Sequence, residues 1–269
     1  MSTVEKPHVS ATQVGMFCRC GEQYRRRYVE KHIIPPGMAL HVGSGYHVGA
    51  EVNCRQKIES RRDLPVADIV DAAVAGFDAR INADGCELTE EEASRGLAVT
   101  LGEAKDRLVI LSTLHATEQA PDYQPVAVEE TCRIILPRAS RDLLGILDLA
   151  DDRDRIVDFK TGARKKPQSA ADESLQLTVY AAAFMATRQR PPAEVLLDSA
   201  ISTKKPTRQV LTSRRDQNDI RALAARLSTV IAAIDAGVFV PCNQDSFWCS
   251  TRWCGYARTC SYFSGRAKE

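Results

Sequence analysis

The stretch Gly145-Ile146-Leu147-Asp148, followed after a short charged turn by Ile156-Val157-Asp158-Phe159-Lys160-Thr161-Gly162, decides how this chain is read. Leu143 to Leu149 and Arg155 to Lys160 are apolar, β-prone runs separated by Asp151, Asp152, Arg153 and Asp154, the pattern of an antiparallel hairpin with a polar turn. A turn centred on Arg153 sets Asp148 and Asp158 opposite each other on neighbouring strands, and therefore on one face. Asp158 and Lys160 share a face whatever the register, because strand side chains repeat every two residues. Two carboxylates this close repel each other unless a cation lies between them, and hard oxygen ligands suit Mg²⁺ or Mn²⁺. A lysine beside such a pair can orient or deprotonate a water and neutralise charge developing on a phosphate. The competing reading is an exposed hairpin carrying ordinary surface charge.

Working outward, the chain of 269 residues is long enough for a substantial core, and one continuous domain with a terminal appendage is expected. With 44% hydrophobic and 26% charged residues and a net charge of +1, no global field advertises a nucleic-acid partner, so any such contact must come from local patches. No apolar run is long enough to span a bilayer and no signal-peptide pattern opens the chain, so a cytoplasmic protein with no membrane partner is expected. Its nine cysteines are then expected to stay reduced, and a cluster of them to bind metal.

Residues 1–9 read as a disordered leader, 10–263 as a single domain and 264–269 as a tail. Ser10 is a plausible N-cap for a helix that carries Cys20 and then Arg25, Arg26 and Arg27; that run reads either as a solvated helix face or as phosphate contacts. A second helix is expected from about Ala39 to Ile58, with Gly43, Gly45, Gly49 and Ala50 allowing close packing and His47 in its middle. Residues 64 to 120 read as wholly helical, with Asp63 capping the first helix and Thr89 with Glu92 spaced as a capping box for the next. From Pro125 the pattern turns to strands, with acidic Glu129 and Glu130 on the first. After the hairpin come a basic loop (Arg164, Lys165, Lys166) and a helix near Asp172 to Arg188 that sets Gln176 and Tyr180 on one face. A buried strand from Val195 to Ala200, a basic loop with Lys204, a partner strand from Gln209 to Thr212 and a helix from Arg214 to Ala236 complete this part. The tail sets Cys242, Cys249, Cys254 and Cys260 among Trp248, Trp253, Tyr256 and Tyr262, which reads as a metal or cluster site, or else as apolar cysteines packed with aromatics.

The order Gly-x-x-Asp (Gly145 to Asp148), Asp-x-Lys (Asp158 to Lys160) and Gln-x-x-x-Tyr (Gln176 to Tyr180) resembles the PD-(D/E)xK nucleases, specifically the RecB-type exonucleases and the related iron-sulfur nuclease of CRISPR adaptation. Ser10, Thr12, Phe17, Cys20 and Tyr24 resemble the opening element of that family, and Gly43-Ser-Gly-Tyr-His47 its Gly-x-x-x-His motif. Gly21 stands where the family carries proline. The tail spacing Cys249-x₄-Cys254-x₅-Cys260 is longer in its first interval than the family's Cys-x-x-Cys-x₅-Cys.

The resemblance implies an α/β (α+β) restriction-endonuclease-like core, a mixed sheet flanked by helices. The helical part would occupy about 10–120, the nuclease core about 123–237, and the cysteine segment 241–263 would pack with the Cys20 helix. It implies metal ligation by His47, Asp148, Asp158 and the Phe159 carbonyl, with Lys160 placing or activating the water and Gln176 and Tyr180 supporting it. It implies a 4Fe-4S cluster on Cys20, Cys249, Cys254 and Cys260; zinc is the alternative, with Cys242 in place of Cys20. The implied activity is a Mg²⁺- or Mn²⁺-dependent DNA exonuclease acting on free or single-stranded ends in recombination, repair or CRISPR-type processing. Arg25, Arg26, Lys165 and Lys204 would guide the strand. No Gly-x₄-Gly-Lys-[Ser/Thr] motif is present, so unwinding would fall to a helicase partner. The rival readings are a DNA-binding adaptor that keeps the fold without catalysis, and a zinc-binding regulatory protein.

Overall fold

A computed structural model describes residues 6–265. The chain opens with a short strand β1 (His8–Ser10), and Ser10 then caps α1 (Ala11–Arg19). The cap is reciprocal: Gln13 N donates to Ser10 Oγ at 3.3 Å and Ser10 N to Gln13 Oε1 at 2.9 Å. Cys20 ends α1 in an extended conformation and starts α2 (Gly21–Tyr24), which runs into a π-turn at Arg25–Val29. Four helices follow, α3 (Met38–Ser60), α4 (Val66–Asp84), α5 (Glu90–Arg95) and α6 (Leu97–Leu114). Next come the strands β2 (Pro125–Ile134), β3 (Asp142–Asp151) and β4 (Arg155–Gly162), then α7 (Ser169–Asp172), α8 (Leu175–Arg188), β5 (Glu194–Ile201), β6 (Thr207–Ser213) and α9 (Gln217–Asp235).

Three local expectations change. His8 to Ser10 pair in parallel with Asp142 to Leu144, so the leader expected over 1–9 is a strand in its last two residues; residues 1–5, like 266–269 of the expected tail, lie outside the described residues. Asp63 does not cap a helix. Pro65, with its preset φ, holds the N-cap of α4, and Asp63 instead accepts from Asn53 Nδ2 at 2.8 Å and from the buried Lys57 Nζ at 2.7 Å. The helix expected from Asp172 breaks at Glu173 and restarts under a Ser174 cap, whose Oγ accepts from Leu177 N at 3.2 Å. The Thr89–Glu92 capping box forms as read.

By backbone contact the described residues divide into two compact, interleaved units, the first from 6–34, 133–145 and 217–265 and the second from 35–132 and 146–216. In the first unit α1 and α9 pack together around Val14, Leu227 and Val230, and Phe17, Tyr24 and Phe239 form a ring cluster with centroids 5.4 to 6.2 Å apart. Asp142 is buried there beneath Lys6 at 2.8 Å and Arg133 at 3.0 Å; hydrogen bonds from Lys6 and from Leu136 N hold its pKa down, at about 2.

The second unit is a mixed sheet flanked by helices. β3 pairs antiparallel with β4, β4 in parallel with β5 along all of its length, and β5 antiparallel with β6. β4 is buried on both faces from Ile156 to Phe159 and has α3 and α8 packed against it. The core gathers Tyr46, Phe77, Leu108, Leu149, Val157 and Phe159. α4 lies close against α3 because Gly45 and Gly49 leave room: a Cβ on either would come within 2.7 Å of a backbone carbonyl of α4. His47 is two residues from each glycine, about 160° round the helix, on the face turned from α4.

Under the sheet lies a buried polar network. Tyr46 donates to Gln119 Oε1 at 2.5 Å, Gln119 Nε2 to Asp198 Oδ1 at 2.7 Å, and Tyr123 to Asp198 Oδ2 at 2.7 Å. Arg208 closes it with a 2.7 Å ion pair to the fully buried Asp198. The ring of His115, kept neutral by burial with its pKa pushed down to about 4, stacks edge-on against Phe159 at 4.9 Å. Removing one member of a buried ion pair strands the other charge. Asp198→Ala is therefore expected to lower the unfolding free energy by about 3 kcal/mol, read by urea denaturation; a loss within experimental scatter would mean that Arg208 does not need its partner.

Candidate active site

The register Leu149↔Val157 and Ala150↔Ile156, continued by one residue, sets Asp148 opposite Asp158. The turn therefore centres on Arg153, and the Asp148 charge works against ionisation of Asp158. Asp158 is completely buried: Oδ1 receives Lys160 Nζ at 2.7 Å, and Oδ2 has no protein partner. Asp148 Oδ2 accepts from Phe159 N at 3.0 Å and lies 3.5 Å from His47 Nδ1. The Phe159 backbone also hydrogen-bonds His47 and favours its charged form. Helix α3 and strands β3 and β4 thus bring His47, Asp148, Asp158, Phe159 and Lys160 to one place.

Burial dominates the electrostatics. It pushes both aspartates up to about 6 although Lys160 pulls the other way, and it pushes His47 down to about 4, aided by Lys160. Burial also works against charge on Lys160, but Asp158 and Asp148 overcome it and raise the lysine pKa, so the side chain is an ammonium at neutral pH. It is placed to orient and neutralise rather than to abstract a proton.

Glu129 is a site residue that the sequence reading passed over as an ordinary strand acid. Its φ of 48° is left-handed, an outlier for a strand, and it carries the carboxylate to His47 and Asp148. Ligand atoms of His47, Glu129 and Asp148 lie within 4.8 Å of one another, a spacing that fits a bound metal ion. Burial, with Asp148 nearby, pushes the Glu129 carboxyl up to about 7. The nitrogen-and-carboxylate donor set and the orphaned Asp158 Oδ2 together fit a hard divalent cation. The expected ligand set therefore gains Glu129.

Gln176 Nε2 donates to Tyr180 Oη at 2.6 Å and not to Lys160. Tyr180 is buried, its pKa raised first by burial and then by Asp148 and Asp158, which sets it beside the carboxylates with Gln176 behind it. A cleft of 630 Å³ runs past the site, lined by Gly43, His47, Arg80, Glu129, Asp148 and Lys160. Lys165 and Lys204 lie exposed on the loops after β4 and β5.

Arg25 and Arg26 belong to the other unit. Arg25 pairs with Glu22 at 2.7 Å and Glu30 at 2.6 Å, and Arg26 with Glu22 at 2.9 Å. Arg26 also donates to the Thr259 hydroxyl and carbonyl, both at 2.9 Å. Arg26 thereby ties the tail to the N-terminal helices, while Arg25 is engaged by Glu22 and Glu30. In the same unit Cys20, Cys242, Cys249, Cys254 and Cys260 line one pocket, while Cys18 is exposed. Cys20 Sγ accepts from Cys242 N at 3.2 Å. Cys254 has its pKa raised by burial and by the sulfurs of Cys20, Cys260 and Cys249. At Gly21 the family's proline is excluded: Gly21 N donates to Val240 O at 2.7 Å, and a Cβ would sit 2.6 Å from Val240 N.

A family model of the PD-(D/E)XK nuclease superfamily matches residues 8–261. The chain belongs to that superfamily, whose nucleases use divalent metal ions and whose fold implies DNA as substrate. Among solved structures it is similar to a protein of Eubacterium rectale described as a "Putative exonuclease", at 14% identity and a TM-score of 0.55 over 98% of this chain and 90% of that one. The structure of SSO0001 aligns at 13% identity over 80% of this chain and 94% of that one, with a TM-score of 0.37. No curated protein matches significantly. No helix among the described residues is long and apolar enough to cross a membrane.

Metal must displace protons from carboxyls whose pKa values lie near 6 and 7. Mn²⁺ affinity is expected to fall as pH drops from 8 to 6, with more protons released per ion at the lower pH, measurable by calorimetry in buffers of different ionisation enthalpy. Equal proton release across that range would show that these carboxyls are already ionised in the metal-free protein.

Proposed function

We propose that the protein is a metal-dependent DNA exonuclease. The observation that carries this reading is that His47, Glu129 and Asp148 offer ligand atoms within 4.8 Å of one another, next to a buried Asp158 that holds the Lys160 ammonium and keeps one carboxylate oxygen unpartnered. His47, Glu129, Asp148, Asp158 and the Phe159 carbonyl would hold Mg²⁺ or Mn²⁺. When bound, the ion supplies Lewis acidity and lowers the pKa of water. The chain's own residues do the rest. Lys160, tied to Asp158, orients the incoming water and offsets charge on the phosphate, while Tyr180, backed by Gln176, walls the carboxylates from solvent. Exposed Lys165 and Lys204 offer phosphate contacts to a free or single-stranded end. A role on DNA ends in recombination, repair or CRISPR-type processing, beside a separate helicase, follows from the same reading. The intact acidic set argues against a binding-only adaptor.

The cysteine pocket supports a second metal group with a structural role. A 4Fe-4S cluster on Cys20, Cys249, Cys254 and Cys260 is the group we assign to it, because these four thiols line one pocket; zinc is the alternative. Protein purified without oxygen is expected to be brown and to lose that colour in Cys254→Ser; colourless protein with one equivalent of zinc would reverse the assignment.

The activity is tested on end-labelled linear DNA with Mn²⁺. Asp158→Asn and Lys160→Ala are each expected to slow degradation by about 10²–10³-fold while circular dichroism stays that of the parent. Degradation at the parental rate by either variant would remove the assignment.

A further inference from the structure

The chain has two tryptophans, and both lie in the cysteine tail beside Phe247. Burying a large aromatic is among the most favourable things a fold can do with one, yet Phe247 is 58% and Trp253 51% exposed. The three rings form a single cluster. Phe247 lies 4.6 Å from Trp248 at an interplanar angle of 34°, Trp248 5.7 Å from Trp253, and Phe247 6.1 Å from Trp253. Two guanidiniums lie over its faces, Arg19 at 4.5 Å from the Trp248 centroid and Arg252 at 5.5 Å from that of Trp253. Among the described residues neither is paired with a carboxylate: Arg19 donates to Gln23 Oε1, and Arg252 is exposed. Asp245 is the one acidic residue between 241 and 265. A groove of 570 Å³ shares Arg19 with the cluster and adds Arg226 and Asn243.

We infer that Phe247, Trp248 and Trp253, with Arg19 and Arg252, form a stacking platform for single-stranded DNA, separate from the residues that carry the chemistry. Exposed ring faces receive unpaired bases, while the guanidiniums over those rings meet the phosphates between them. In a duplex the base faces are already stacked on one another, so the platform selects single strands. The same pairing of open rings with cations lacking acidic neighbours argues for a polyanion with flat side groups over a protein partner, which would bring its own carboxylates or apolar side chains. The inference rests on the nuclease reading only for the identity of the polymer.

The test uses the full chain carrying Asp158→Asn in EDTA, so that nothing is cleaved, and follows a fluorescein-labelled oligothymidylate by anisotropy. Phe247→Ala and Trp253→Ala are each expected to weaken binding about tenfold, Trp253→Phe to recover most of the loss, and Arg252→Ala to reduce the salt slope by about 0.7. Ultraviolet crosslinking should join the oligonucleotide to peptides containing Phe247 or Trp253, and a duplex of equal length should compete poorly. Absent binding, a Phe247/Trp253 double variant within twofold of its parent, or crosslinks confined to other peptides would each overturn the platform. Cleavage by the otherwise unaltered chain with Mn²⁺ is scored separately. Cleavage with unchanged affinity in the platform variants removes the platform alone, and platform binding without cleavage removes the nuclease reading alone.

Discussion

Burying two carboxylates side by side is the constraint on which the second unit depends. An isolated ion in an apolar interior costs many kcal/mol and normally takes up a proton instead. Here Asp158 is fully enclosed, with one oxygen satisfied by Lys160 and the other by nothing in the protein, and Asp148 leans on the Phe159 amide. Such an arrangement is tolerable only if the surroundings cannot relax. β4 is held along all eight of its residues by β5, with Phe159 paired to Asp198, so the carboxylates cannot swing toward water without dismantling the sheet. A cation is what the arrangement is short of.

Two other features keep that geometry rigid. Glycines on the far side of α3 let α4 approach to backbone contact, and this fixes the rotation of α3 that turns His47 away from α4. Below the sheet, Tyr46, Gln119, Tyr123 and Arg208 saturate Asp198, and the His115 ring presses on Phe159. A satisfied buried network of this kind defines position more sharply than apolar packing does. It acts on the one residue whose amide and carbonyl both face the candidate metal ligands.

Much of this was legible in the sequence, for identifiable reasons. Alternation and a polar turn fix a hairpin register locally, so Asp148 and Asp158 could be set opposite each other from the position of Arg153 alone. Capping at Ser10 and at Thr89 is equally local. Glu129 was hidden because its role depends on a left-handed backbone in mid-strand, which no side-chain pattern announces. The contacts of Arg25 and Arg26 with Glu22, Glu30 and Thr259 were not legible, because a basic run has the same composition whatever its partners. The division into two units is a matter of long-range contact: β3 runs from one into the other without any break in its apolar pattern.

The interleaving also orders events during synthesis. The second unit has all its parts once residue 216 has been made, whereas the first draws on segments at both ends of the chain. Gly21 must find Val240, Cys20 must find Cys242, and His32 must find Tyr256, each across more than two hundred residues. The opening helices therefore stand without their permanent covering until residues 239–256 emerge, with Phe17 and Tyr24 lacking Phe239. A chain cut after residue 216 would keep every residue of the carboxylate centre and yet deprive the opening helices of Val240, Cys242 and Tyr256.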